Sequence, residues 1–417
     1  MTVHVVAPGQ TLSAVAGIYG VSYERIAAWN GLAPPYLLAV GQSLLIPEAA
    51  ELYTVQPGDT LFSIAQRSGL SVNALRRRNP GLANLYPGQT LILALSDAPV
   101  RQIEVNGYAY PFASEQILRA ILPYSTFLTP FTYGIGPDAS LVPLDDGALL
   151  ALAREYGVQP LMHLSTLTEN GNFSTERAQT VLNDPVLRDR LIFEAVANVR
   201  AKGYLGLDLD FEFLGRDNAA SYAGFAARLR EALGGLPLIT ALAPKTSDGQ
   251  PGLLYEGHDY AALGEASDAV LLMTYEWGYT YGPPMAVAPI GSVRRVVEYA
   301  LSRIPPEKIL LGFPNYAYDW TLPYEAGVSR ARSISNVQAP ALAVQYGAEI
   351  LFDEAAQTPY FNYVSDGRAH EVWFEDPRSA KAKYDLVARY ALRGVGFWNY
   401  MRPFPAGFAL LGMMFDI

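Results

Sequence analysis

From Arg101 to the C-terminus, eight short apolar runs alternate with helical patterns, and this alternation constrains the fold more than any other feature. The runs are QIEVNGYAYPF, STFLTPFTYGI, PLMHLST, LGLDLDFEF, LPLITALAP, DAVLLMTYEW, KILLGFPNYAY and GVGFWNYM. Strands separated by helices cannot pair as hairpins; they need crossovers, and crossovers give parallel sheets. Eight such units over about 300 residues predict an α/β fold, the (β/α)8 or TIM barrel. One intervening helix, DNAASYAGFAARLREALGG, reads as capped by Asp217 and stopped by Gly234 and Gly235. The interval at about 321–377 is too long for a connection. Within it, VSRARSISNVQAPALAVQYG reads as a helix, and TPYFNYV and HEVWFE flank Ser365-Asp366-Gly367-Arg368, a hairpin signal. A small α+β insertion after the seventh strand is therefore expected.

The fourth run carries the chemistry. In GLDLDFEFLG, Gly206 to Gly215, Leu207, Leu209, Phe211 and Phe213 share one parity, and Asp208, Asp210 and Glu212 share the other. A parallel barrel buries both strand faces, the outer against helices and the inner in the barrel. The apolar set is expected to face the helices and the three carboxylates to point inward, about 6.6 Å apart along the strand. They repel one another and each loses hydration, so stability alone favours Val or Ile at these positions. Glu212 lies nearest the C-terminal end, where barrel enzymes place their chemistry. Crowded like charges raise the pKa of at least one member, which keeps a carboxylic acid protonated as a general acid. A charge cluster neutralised by buried Arg or Lys is the competing reading.

The first hundred residues contain a duplication. Pro8, Gly9, Thr11, Leu12, Ala16, Ser22 and Asn30 recur 49 residues later as Pro57, Gly58, Thr60, Leu61, Ala65, Ser71 and Asn79. VGQSLLIP (Val40–Pro47) answers PGQTLILA (Pro87–Ala94). Each unit reads as strand, Pro-Gly turn, two helices, Asn turn and strand, with Thr11 and Thr60 as N-caps. This punctuation resembles the LysM module over 2–47 and 52–94. The resemblance implies binding of N-acetylglucosamine glycans, peptidoglycan or chitin, in a groove between the first turn and the turn after the second helix. That groove would involve Gly9, Gln10, Thr11, Asn30, Gly31 and Leu32 in the first copy. In the second it would involve Gly58, Asp59, Thr60, Asn79, Pro80, Gly81 and Leu82. Taken singly, Pro-Gly and Asn simply make turns. Glu48–Glu51 reads as a connector and Leu95–Val100 as a linker into a large domain at 100–417.

Composition narrows the functions. Lys+Arg 30 against Asp+Glu 40 gives a net charge of −10, which argues against nucleic acid or anionic membranes as partners. With no cysteine, disulfides, thiol catalysis and zinc-thiolate sites are excluded. His4, His163, His258 and His370 show no metal-ligand spacing, so neither a metal nor a cofactor is expected. The 27 tyrosines suit stacking on sugar rings as well as core packing. No basic segment followed by an apolar one opens the chain, and no long apolar run appears, so a soluble protein is expected. Its export route does not show in the sequence, and no obligate protein partner is evident.

The large domain resembles glycoside hydrolase family 18, the chitinases and related N-acetylglucosaminidases. The family's fourth-strand motif D-x-x-D-x-D-x-E matches Leu205 to Glu212 except at the first Asp, where Leu205 stands. Met273–Tyr279 resembles the family's M-x-Y-D on strand six, with Glu276 in place of Asp, and Gly312–Trp320 resembles its G-x-P-x-Y on strand seven. Trp398, in FWNYM, matches the strand-eight Trp that floors the sugar subsite. The resemblance implies that Glu212 protonates the leaving oxygen while the substrate's own 2-acetamido oxygen attacks the anomeric carbon, giving an oxazolinium. Asp210 would hold and stabilise that group, Tyr275 would hydrogen-bond its oxygen, and Asp208 would tune Asp210. Glu276, Asn315 and Tyr316 are candidates for substrate contact.

With the paired LysM units, the runs APKTSD, Met273–Pro289 and HEVWFEDPRS make the chain similar to the spore-associated, cortical fragment-lytic N-acetylglucosaminidases of endospore formers. The implied location is the spore cortex or coat, or the cell wall. A LysM-anchored chitinase and a catalytically silent glycan-binding surface protein are the alternatives. Glu212 and Asp210 both being present argues against the silent one.

Overall fold

The computed structural model describes residues 1–82 and 84–417. Eight parallel strands close into a barrel: Glu104–Ala109, Phe127–Pro130, Gln159–Ser165, Gly206–Asp210, Leu238–Leu242, Ala269–Leu272, Ile309–Pro314 and Gly394–Trp398. Each of the eight apolar runs contributes one strand, in chain order. Alternation sorts the side chains. Met162, Leu164, Leu207, Leu209, Leu238 and Leu272 pack outward into the main core shared with the helices. Tyr108, Phe127, Leu161, Ile239, Leu271 and Leu310 fill the interior, with Leu205 packed against them. The first position of the fourth-strand motif is thus an apolar site below the chemistry.

Two local expectations fail in the fourth unit. The strand ends at Asp210, so parity no longer governs the residues beyond it. Phe211 is still fully buried, but Phe213 turns outward at φ 57° and is 43% exposed. Asp217 does not cap the following helix. It lies in a 3-10 turn, Arg216–Asn218, and the helix Ala219–Leu233 starts after Asn218, whose amide instead bonds the Leu214 carbonyl. Gly234, at φ 65°, ends the helix as expected.

The insertion is a five-stranded antiparallel sheet with one helix, Gln338–Tyr346. Its hairpin pairs Thr358–Ser365 with Arg368–Trp373 through Asp366 and Gly367, both at positive φ, as a tight primed turn requires. Ala317–Thr321 belongs to this sheet. The run read as a single helix divides instead: Arg332–Ile334 is a strand, and Ser335 Oγ accepts the Gln338 N–H where the helix begins.

Both N-terminal units fold as strand, helix, helix, strand. Thr11 and Thr60 accept N–H bonds from Ala14 and Ser63, and Ser22 and Ser71 cap the second helices in the same way. The units are docked on the large domain. Trp29, Leu45 and Ile92 join its main core. Arg77 Nη1 donates to the Pro123 carbonyl at 2.9 Å, and Ser43 Oγ donates to Asp376 Oδ2 at 2.7 Å.

The seam at Gly41 is backbone against backbone. The Ile350 N–H donates to the Val40 carbonyl at 2.9 Å, and a Cβ on Gly41 would lie 1.9 Å from the Ile350 carbonyl oxygen. Gly9 has a similar φ, 77° against 80°, but nothing within 4 Å. Gly9→Ala should cost about 1 kcal/mol from backbone strain alone. Gly41→Ala should cost about 1–3 kcal/mol more, because the seam must open. Denaturant melts of the two variants measure the difference; equal losses would show that the seam carries no stability.

Candidate active site

The fourth strand presents Asp208 and Asp210 to the barrel interior, with Glu212 two residues past its end. Asp208 is fully buried. Its Oδ2 accepts from Tyr108 Oη at 2.7 Å and Asn106 Nδ2 at 3.3 Å, and Asn106 Oδ1 in turn accepts from Thr129 Oγ1 at 2.8 Å. Burial pushes the Asp208 carboxyl up to about 6; His163 and the Tyr108 bond oppose the rise and Asp210 adds to it. Asp210 lies on the open side, with its Oδ2 3.6 Å from His163 Nε2. Among the described residues no Arg or Lys lies within ion-pair distance of any of the three carboxylates, so the cluster is not neutralised by a buried cation.

Glu212 is pushed up to about 8, first by burial and then by the negative charge of Asp210. It holds its proton at neutral pH beside a second carboxylate, which is the state a general acid needs. Tyr275, three residues past the sixth strand, sits near the same charges. Burial, then Asp210 and Glu212, hold its phenol well above the ordinary range, so it stays a donor.

Trp398 ends the eighth strand and is partly exposed. Its ring packs with Phe131, Tyr108 and Tyr110, at centroid distances of 4.9, 5.5 and 6.3 Å. That leaves an aromatic surface beside the carboxylates. Glu276 is exposed, and Tyr316 and Tyr318 donate to it, Tyr318 at 3.1 Å. Asn315 differs from the other candidates. It is fully buried, and its Nδ2 donates to the carbonyls of Asn399 at 2.9 Å and Arg402 at 2.8 Å. It braces the loop after Trp398. Phe213 and Glu276, each directly after a site residue, both have left-handed backbones, φ 57° and 67°. Such conformations cost a non-glycine residue about 1–3 kcal/mol and concentrate at functional sites.

Two supports went unread in the sequence. His258 Nε2 donates to the Phe211 carbonyl at 2.9 Å while its Nδ1 accepts the Ala243 N–H at 2.9 Å. Tyr222 Oη accepts the Phe211 N–H at 3.3 Å. Together they hold both ends of the residue that precedes Glu212. The inward parity of PLMHLST, in phase with Leu161, was the available signal for His163; His258 left none.

The glycan-groove candidates of the N-terminal units divide by what they touch. Asn30 Nδ2 donates to the carbonyls of Ile26 and Leu45, both at 2.8 Å, and its Oδ1 accepts the Leu45 N–H at 2.7 Å. Asn79 repeats this with Leu75 and Ile92. Both amides therefore tie the second helix to the last strand. Gln10 accepts from the Ala7 N–H, and Asp59 from the Gln56 N–H, so each locks its own turn. Thr11 and Thr60 are committed as caps. Leu32 and Leu82 pack on their units' cores. Gly9 and Gly58 have open space above them, whereas Gly31 faces Pro405 and Gly81, next to Pro80, faces Ala28. The second turn of each unit is thus against a neighbour, and the first turns are open.

The profile of glycosyl hydrolases family 18 matches residues 165–402, and that of the LysM domain matches 4–47 and 53–94. The chain is 41% identical to a cortical fragment-lytic enzyme of Bacillus subtilis (strain 168), over 100% of this chain and 99% of that protein. It is similar to the crystal structure of the Bacillus megaterium QM B1551 spore cortex-lytic enzyme SleL, with TM-score 0.84 and 37% identity, covering 100% of this chain and 98% of that one. A chitinase from Chromobacterium violaceum ATCC 12472, 24% identical with TM-score 0.68 over 75% of this chain and 98% of its own, shares the fold. The match over more than half the chain agrees with a barrel that carries its acids at the end of the fourth strand: this protein belongs to glycosyl hydrolases family 18 and carries two LysM domains.

Proposed function

We propose that the protein hydrolyses the bond on the reducing side of N-acetylglucosamine in spore cortex peptidoglycan fragments, with the substrate's acetamido oxygen as nucleophile. The observation that carries this is Glu212, held protonated by burial and by the charge of Asp210. Glu212 gives its proton to the leaving oxygen. Asp210 stabilises the positive charge that develops on the acetamido group, and Tyr275 donates to its oxygen. Asp208, held by Tyr108 and Asn106, keeps a second partial charge beneath Asp210. No protein carboxylate bonds to the sugar, so the intermediate is the oxazolinium. Trp398 provides the floor for the ring, Glu276 with Tyr316 behind it provides a polar wall, and Asn315 positions the Trp398 loop.

The relatives named for cortex lysis match the whole chain, including both LysM units, and this favours peptidoglycan over chitin. A chitinase with LysM anchors is the second reading, supported by the barrel's likeness to chitinase structures. The open first turns of the LysM units would hold the enzyme on N-acetylglucosamine glycan and raise the local substrate concentration, placing it at the spore or cell wall.

The acid sets the pH dependence. With Glu212 titrating at about 8, kcat/KM should fall about tenfold per unit above that pH, as the proton is lost. Glu212→Gln keeps the shape without a transferable proton and should lower turnover of cortex fragments by at least about 10²-fold with binding intact. Near-normal turnover in that variant would place the acid elsewhere.

Asp210→Asn removes a charge and Tyr275→Phe removes one hydrogen bond. The first should lower kcat by about 10²–10³-fold and the second by about tenfold. Steady-state kinetics on cortex fragments tests the order, and a larger loss for Tyr275→Phe would contradict the assigned roles.

A further inference from the structure

Beneath Asp210, the third strand carries an imidazole that the mechanism above does not use. His163 points into the barrel and pairs with Asp208 in the strand register. Its ring is buried between Phe131, at a centroid distance of 4.8 Å, and Tyr108, edge-on at 5.4 Å. Nδ1 lies 2.5 Å from Thr132 Oγ1, and Nε2 lies 3.6 Å from Asp210 Oδ2, just beyond hydrogen-bond reach. His163 Nε2, Asp208 Oδ1 and Asp210 Oδ1 are all buried without a partner. Three unpaired buried polar atoms, two on successive inward positions of the fourth strand and one on the third strand beside it, are costly.

The Asp210 carboxylate selects the tautomer: a lone pair on Nε2 would face a carboxylate, so the hydrogen belongs on Nε2 and points at Asp210. Nδ1 then accepts from the Thr132 hydroxyl, which also has the Tyr133 carbonyl at 2.9 Å and Ser165 Oγ at 3.0 Å within reach. The ionisable groups around the ring are Asp208 and Asp210 from the fourth strand and Tyr108 from the first, while Thr132 and Ser165 carry no charge. Asp208 already has Tyr108 and Asn106 as donors. For Asp210, His163 is the one Lys, Arg or His side chain within ion-pair distance among the described residues.

We propose that His163 is a positioning residue for the glycosidase reaction: its Nε2–H, with Thr132 behind the ring, holds the Asp210 carboxylate aimed at the substrate's acetamido group. This rests on the reading of Asp210 and Glu212 given above. A carboxylate that must stay charged above another buried carboxylate needs a donor that does not depend on substrate, and the imidazole supplies it from below.

The test compares His163→Leu, which removes the donor, with His163→Gln, which keeps an N–H at similar reach. Thr132→Val, which leaves the ring in place but removes the hydroxyl behind it, is the third variant. For each, kcat and KM on soluble cortex fragments are measured from about pH 4 to pH 9. In His163→Leu, which removes the donor that faces the carboxylates, the acidic limb of kcat/KM should move up by about half a pH unit or more. Its kcat should fall about tenfold or more with KM within about twofold. His163→Gln should recover most of the loss, and Thr132→Val should move the limb the same way. Wild-type profiles in the Leu and Val variants, or a Gln variant no better than Leu, would reduce His163 to packing and overturn the proposal. If His163→Leu does not fold, Thr132→Val decides alone. Glu212→Gln is run alongside: its inactivity keeps the acid assignment whatever His163 does, and its activity would remove that assignment instead.

Discussion

The site depends on one constraint: three carboxylates on a single strand and its exit, inside a closed barrel, with no Arg or Lys within ion-pair distance of them among the described residues. Burial makes each charge expensive, and proximity makes the second dearer than the first. The chain resolves this by grading the three. Asp208 is bound by Tyr108 and Asn106, Asp210 faces the cleft, and Glu212, past the strand, keeps its proton to about pH 8. A Lys or Arg in the barrel would relieve the repulsion and with it the upward shift of Glu212. The layers around the trio serve this grading. His258 and Tyr222 fix the Phe211 peptide from both sides, and the left-handed Phe213 turns the chain away immediately after the acid.

The N-terminal units are part of the same body rather than beads on a linker. Trp29 is buried in the large domain's core, Gly41 has no room for a side chain at the insertion, and Arg77 reaches a carbonyl of the first barrel unit. This docking gives each unit one closed turn and one open turn. In the proposed function, a glycan held at the open first turns would sit at a fixed position relative to the barrel, and the modules would add direction to proximity.

Periodicity made the barrel legible: eight apolar runs, eight strands, and inward Asp208 and Asp210 read from parity alone. Parity failed at Phe213 because a period of two holds only while the strand lasts, and the strand stops at Asp210. Asn30 and Asn79 were legible as a repeat, but their work is internal, tying helix to strand through three hydrogen bonds each. The helix expected across 328–347 split because Ser335 could bond the Gln338 N–H and start the helix late. What the sequence hid was long-range contact. Asn106 and Tyr108 meet Asp208 from about a hundred residues away, and His258 meets Phe211 from 47, across a closed barrel that no local pattern encodes.

The central claim is that the substrate's own acetamido group, held by Asp210 and Tyr275, is the nucleophile. Two displacements at the anomeric carbon then give net retention. Proton NMR of the product, recorded within the first turnovers and before mutarotation, reads the configuration directly. The β anomer appearing first is the predicted result. An initial α anomer would mean direct attack by water with inversion, and the substrate-assisted account would be wrong.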